Sequence, residues 1–190
     1  MANNCWNWVS MTGDKDTLEL LKNRMKDYDN FDNLVDWTNH IIQEDRFDRE
    51  KESPYDVVGT RWWDVLWEEA EIQDGYMSIQ GDSAWSPPTQ LMELLAKEFK
   101  LEITIEFEEP GCDFGGYCTY DSNGLKEDYT VSYRQWSYEQ DRYHYLEQFK
   151  EDIDHYETME DVLNEHEFAS KKDLLELAKI FGENELKQMK

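Results

Sequence analysis

Leu101-Glu102-Ile103-Thr104-Ile105-Glu106-Phe107-Glu108 alternates apolar and polar side chains without a break. Successive side chains of a strand point to opposite faces, so this run sets Leu101, Ile103, Ile105 and Phe107 on a core. Glu102, Glu106 and Glu108 then point into water. One face of the sheet is thus predicted to be covered and the other lined with carboxylates.

Neighbouring segments supply the other elements. Upstream, Ser86-Pro87-Pro88 opens a helix whose apolar stripe is Leu91, Leu94, Leu95 and Phe99. Before that helix, residues 64–72 and 76–81 flank Asp74-Gly75, a tight-turn dipeptide that predicts a hairpin. Residues 5–11 read as a first strand closed by Thr12-Gly13. Asp14 then caps a helix carrying Leu18, Leu21 and Met25, with Asp16 at its positive end. Residues 28–53 hold Phe31, Leu34, Val35, Ile41 and Ile42 in one or two short helices, followed by a solvated mixed-charge stretch. Beyond Pro110-Gly111, strands over 114–120 and 127–133 bracket Asn123-Gly124.

The order is strand, helix, strand, strand, helix, strand, with a hairpin added. That is the split βαβ, or ferredoxin-like, arrangement, and the fold class is α+β. From about Ser137 the spacing of Tyr138, Tyr145, Phe149, Ile153 and Tyr156 is helical, and Leu174 to Phe181 suits another helix. The expected domains are an α+β domain over 1–136, with 28–53 as an insertion, and a helical extension over 137–190 packed on it.

Charge narrows the function classes. Asp and Glu total 44 against 19 Lys and Arg, a net of −25 on 190 residues. Solubility asks for a magnitude of only roughly 2–8 on a small domain. The excess argues against direct binding of nucleic acid or an anionic membrane, both of which are met by basic patches. It favours basic partners, including proteins whose own ligand is DNA or RNA. Aromatic residues make up 14 % of the chain, eight of them Trp, whereas acidic disordered chains are poor in aromatics. A Trp- and Tyr-rich core is therefore expected. No run approaches the roughly 18 apolar residues of a membrane helix, and the first residues lack a signal-peptide pattern. Cys5, Cys112 and Cys118 make no disulfide framework, so a reducing cytoplasm is the expected compartment.

Several stretches occur in an order and spacing that resemble a known group. They are Trp6-Asn7-Trp8-Val9 with Thr12-Gly13, Gly59-Thr60-Arg61-Trp62-Trp63-Asp64, Ala84-Trp85-Ser86-Pro87-Pro88, and Glu109-Pro110-Gly111-Cys112-Asp113-Phe114-Gly115-Gly116. Over residues 5–125 the chain resembles a family of small phage- and plasmid-encoded proteins with a ferredoxin-like domain. The resemblance implies that fold and a mobile-element origin. It implies no catalytic residues.

Signals for chemistry are sparse. Cys112 and Cys118 lack a second close pair, so zinc would have to borrow from His144, His155 or His166. Those histidines recur every 11 residues, a spacing that keeps one face of an unbroken helix; surface histidines on two helices are the simpler reading. Asp27, Asp29, Asp32 and Asp36 lack the glycine and closing glutamate of a calcium loop. No phosphate loop, nucleophile elbow or metalloprotease helix is found. No catalytic residue, metal or cofactor is expected.

A partner-binding surface is expected instead. Glu102, Glu106 and Glu108 on the strand, with Glu139, Asp141, Glu147, Glu151, Asp152 and Asp154 on the following helix, are predicted to imitate a phosphate track. Trp62, Trp67, Trp85, Trp136 and Tyr138 are the candidate anchors, because Trp and Tyr dominate interface hot spots. The function expected is non-enzymatic: a mobile-element protein that binds and inhibits a basic nucleic-acid-binding host protein, such as a defence nuclease complex. The alternatives are an accessory or scaffold module with no defence target, and a metal-dependent enzyme. Repulsion among so many carboxylates lowers stability at low salt. Screening shortens its reach from about 30 Å at 0.01 M to about 8 Å at 0.15 M. The melting temperature followed by circular dichroism is expected to rise by several degrees between those two ionic strengths.

Overall fold

The computed structural model describes residues 3–66, 70–137 and 139–140. The expectations placed on Trp67, Tyr138, Asp141, Glu147, Glu151, Asp152 and Asp154, and on the three C-terminal histidines, fall outside the described residues. The chain divides into two units, Met1–Ser137 and Tyr138–Lys190, and the architecture below is that of the first.

Strand β1 (Asn4–Thr12) buries Cys5, Asn7, Val9 and Met11 and turns Trp6 and Trp8 outward. Asp14 accepts a hydrogen bond from the Thr17 N–H at 3.0 Å and caps α1 (Lys15–Met25), whose Leu18, Leu21 and Met25 are buried. A 3-10 turn over Lys26–Asn30 leads to Asn33, which caps α2 (Leu34–Ile42) through the Val35 and Asp36 amides. Ser53 and Asp56 form a capping box on the one-turn α3 (Pro54–Val57). The remaining elements are β2 (Trp63–Val65), β3 (Ile72–Gln73), β4 (Tyr76–Ala84), α4 (Thr89–Phe99), β5 (Glu102–Glu109), β6 (Phe114–Asp121) and β7 (Gly124–Val131).

The sheet runs β2-β4-β1-β5-β6-β7, antiparallel throughout, with β3 also on β4. Strand β1 lies between β4 and β5, so each βαβ unit is split by a strand from elsewhere in the chain. This is the ferredoxin-like topology, extended at the β5 edge by the β6–β7 hairpin. Helix α1 packs on β3 and β4, α4 on β5, β6 and β7, and α2 on α1 and α4. Between sheet and helices lie Val9, Met11, Met77, Ile79, Ile103, Ile105 and Phe107 against Leu18, Leu21, Met25, Ile41, Leu91 and Leu95. Full burial of each such side chain contributes about 1.5–3 kcal/mol.

Four local expectations are corrected. The core is chiefly aliphatic and Met-rich, because strand parity and helical spacing hand its positions to Leu, Ile, Val and Met. Of the described Trp residues, Trp37 and Trp63 belong to it, edge to face at 6.2 Å. Helix α4 is rotated from the expected stripe: Met92 and Ala96 are buried beside Leu91 and Leu95, while Leu94 and Phe99 are half-buried. The first hairpin arm is not continuous. Strand β2 stops at Val65 and β3 starts at Ile72, and the described residues between them, Leu66, Ala70 and Glu71, belong to neither. Asp74 and Gly75 do make the turn, both at positive φ (51° and 76°). Strand β7 begins at Gly124, not 127, because the two-residue loop is Ser122-Asn123 and a register slip at Thr119/Tyr120 absorbs the offset. It ends at Val131, and residues 133–137 are already helical.

At Gly81, β4 lies close against the backbone of β2. A Cβ there would stand 2.2 Å from the backbone oxygen of Asp64. Gly81→Ala must push the two strands apart and is expected to cost about 1–3 kcal/mol in urea unfolding.

Candidate functional site: the open face of the sheet

The helices cover one face of the sheet, and strand parity fixes what the other presents. Three cross-strand rows define it. The first runs Asp64, Asp82, Trp6, Glu108 and Gly115; the second Gln80, Trp8, Glu106, Tyr117 and Tyr129; the third Ser78, Ser10, Thr104, Thr119 and Glu127. Trp6 and Trp8 are 50 % and 41 % exposed, and Leu66 and Tyr76 are exposed at the same side of the sheet. Their indoles meet edge to face, with centroids 6.4 Å apart. Tyr117 lies 5.6 Å from Tyr129 and donates its hydroxyl to Glu127 at 2.6 Å.

Two shallow hollows follow β1. One, of about 360 Å³, is lined by Trp8, Ser10, Tyr76, Ser78, Gln80 and Glu106. The other, of about 320 Å³, is lined by Trp6, Trp8, Asp64, Leu66, Gln80 and Asp82. Among the described residues, the ion pairs engage Asp27, Asp36, Glu44, Asp48, Glu93, Glu98 and Asp121. None engages Asp64, Asp82, Glu102, Glu106 or Glu108. Partial burial, then repulsion from Asp64, raises the Asp82 carboxyl above its ordinary value. Partial burial also raises Glu108, opposed by a hydrogen bond from the Trp136 indole.

Of the carboxylates singled out in the sequence, Glu102, Glu106 and Glu108 do share this outward face, with Glu108 half-buried. Glu139 is half-buried and hydrogen-bonded or otherwise engaged, just before the undescribed stretch. The described aromatic anchors, Trp62, Trp85 and Trp136, do not stand together as exposed rings on the face. Trp62 is half-buried before β2, and Trp85 follows β4 in a left-handed conformation (φ 61°). Trp136 is corrected outright. It is 4 % exposed, and its indole lies over Gly115, where a Cβ would meet it at 2.4 Å. The absent side chain makes room for the ring, which walls one end of the face instead of standing free.

Trp6 and Trp8 carry the signal that sequence reading passed over. In 5–11 they share the parity opposite to Val9 and Met11, so any register that buries those two exposes both indoles. The cysteines do not converge on a site. Cys118 is buried in β6, its thiol pushed up to about 11 by burial, whereas Cys112 sits exposed in the turn after β5. Among the described residues no group of three or more His, Cys, Asp or Glu is placed to hold a metal. Asp27 faces His40 at 3.5 Å and Asp36 pairs with Arg49 at 2.8 Å.

The Asp82 shift has a stability consequence. An acid whose folded pKa is raised binds more protons folded than unfolded, so stability falls as pH rises through the interval above its ordinary 3.8. Asp82→Asn is expected to raise the melting temperature at pH 7. The gain should vanish in acid below that ordinary value, where the carboxyl is neutral in both states.

No curated protein matches the chain. A solved structure, that of a protein api92 from Yersinia pseudotuberculosis, aligns over 70 % of this chain and 99 % of that one, at 9 % identity and a TM-score of 0.44. The family model described as the ferredoxin-like domain in Api92-like protein matches residues 62–173, more than half the chain and well past the 5–125 span of the motif resemblance. With β4, β5 and the β6–β7 hairpin of the sheet all inside that match, the chain belongs to the family of Api92-like proteins with a ferredoxin-like domain.

Proposed function

We propose that this protein is a non-enzymatic, phage- or plasmid-borne binder that captures a basic, nucleic-acid-binding host protein and keeps it from its nucleic acid. The observation that carries this reading is the open sheet face, where Asp64, Asp82, Glu102, Glu106 and Glu108 stand outside every described ion pair beside two exposed indoles. Like charges held close in that state are relieved by a cationic partner. Asp64 and Asp82, directly opposite each other across β2 and β4, are the clearest case. The long-range field of a chain at −25 speeds encounter with a basic surface. The indoles then supply the apolar contact that makes binding selective. A basic surface occupied this way is no longer available to phosphates. The natural target class is a defence nuclease or its complex.

The test is capture of host proteins on the tagged chain, with washes at low and moderate salt and identification by mass spectrometry. A nucleic-acid-binding protein retained at low salt, displaced by added duplex DNA and lost on the triple change Glu102→Gln, Glu106→Gln and Glu108→Gln is the expected result. Retention indifferent to salt, DNA and the triple change rejects the proposal.

A further inference from the structure

We infer that the outward face of β1 is a docking strip for an extended segment of the basic partner, with arginines at alternate positions seated over Trp6 and Trp8. The inference rests on the proposed basic partner and adds the chemistry by which it is read. Each indole has a neighbour on either side across the sheet: Asp82 and Glu108 flank Trp6, and Gln80 and Glu106 flank Trp8. Glu106 in turn stands between Trp8 and Tyr117. An aromatic face next to a carboxylate is the pair of features that a guanidinium satisfies together. It stacks flat on the ring and presents its N–H fork to the oxygens. Lysine, a strongly hydrated point charge, uses only part of that geometry.

The spacing selects the ligand's conformation. Trp6 and Trp8 are two residues apart on one strand, so their attachment points repeat at about 6.6–6.8 Å. An extended peptide presents alternate side chains at the same interval, and an Arg-x-Arg segment along β1 would place one guanidinium over each indole. The two indoles meet edge to face at 84°, so their contact occupies one face of one ring where a parallel stack would occupy a face of each, and both remain 41–50 % exposed.

Other occupants fit less well. Exposed aromatics on a sheet also stack nucleotide bases. Here the accompanying phosphates would meet Asp64, Asp82, Glu106 and Glu108. An apolar segment would strip water from those carboxylates and return no counter-charge.

The test uses the full-length protein and fluorescently labelled peptides of equal net charge, followed by anisotropy. One peptide alternates arginine with serine, a second groups the same arginines in a block, and a third alternates lysine with serine. A single-stranded oligonucleotide completes the set. The alternating arginine peptide is expected to bind about tenfold tighter than the lysine peptide, and Trp8→Ala or Trp6→Ala to weaken it roughly fivefold. Glu106→Gln should weaken it similarly, while Glu50→Gln, at an exposed position in the 44–52 segment, controls for net charge alone. Thermal melts establish that each variant is folded. Equal binding of all three peptides, indifferent to Trp6 and Trp8 and equally sensitive to Glu106→Gln and Glu50→Gln, overturns the docking strip and leaves the basic-partner reading standing. Failure of every basic peptide to bind rejects both. Tighter binding of the oligonucleotide than of any peptide overturns the docking strip as well.

Discussion

The register of β1 governs the rest of this molecule. It is hydrogen-bonded on both sides, all of Asn4–Thr12 having a partner on β4 and residues 6–12 a partner on β5 as well. A slip of one residue would send Val9 and Met11 into water and both exposed indoles into the helix layer. The buried amide of Asn7 works against such a slip. It donates to the Ser83 hydroxyl at 2.9 Å and to the Gly81 carbonyl at 3.3 Å, contacts across to β4 that depend on the observed pairing. Leaving a buried amide unbonded costs about 1–3 kcal/mol. The open face, its rows and its hollows all inherit their composition from this one alignment.

Most of the ion pairs among the described residues lie on the helical side of the fold. Around the helices and their connections, Arg46 engages Glu44 and Glu98, Arg49 engages Asp36, and Lys97 engages Glu93. Exposed pairs of this kind contribute about 0–1 kcal/mol each, so their energetic weight is small. Their placement matters more. None of the described ion pairs draws on Asp64, Asp82, Glu102, Glu106 or Glu108 of the sheet's outer face.

Much of this architecture was legible in the sequence because it rests on local rules. The alternation of β5, the Asp14 cap, the Asp74-Gly75 turn and the proline-led start of α4 each depend on a few adjacent residues, and each is found. What was not legible depends on pairing. Trp62 and Trp63 are neighbours, yet one is half-buried and the other lies in the core, and only the β2–β4 register decides which. Trp136 sits in a polar context, and its burial requires the gap that Gly115 leaves on another strand. Trp6 and Trp8 stand between these cases. Their shared parity is local, but the bareness of their side of the sheet follows from where the helices pack.

The two edges of the sheet have a consequence for the protein in concentrated solution. Among the described residues, the side of β4 away from β1 carries the three residues of β2 and the two of β3, short edge strands of the kind that discourage pairing with a second molecule. The opposite edge, β7, carries Lys126, Glu127 and Asp128 in succession, charges of the kind that blunt a sheet edge. A sheet that exposes two tryptophans invites aggregation. Short strands on one border and charge on the other both disfavour an incoming strand, which limits association through the edges while the aromatic face lies on another surface of the sheet.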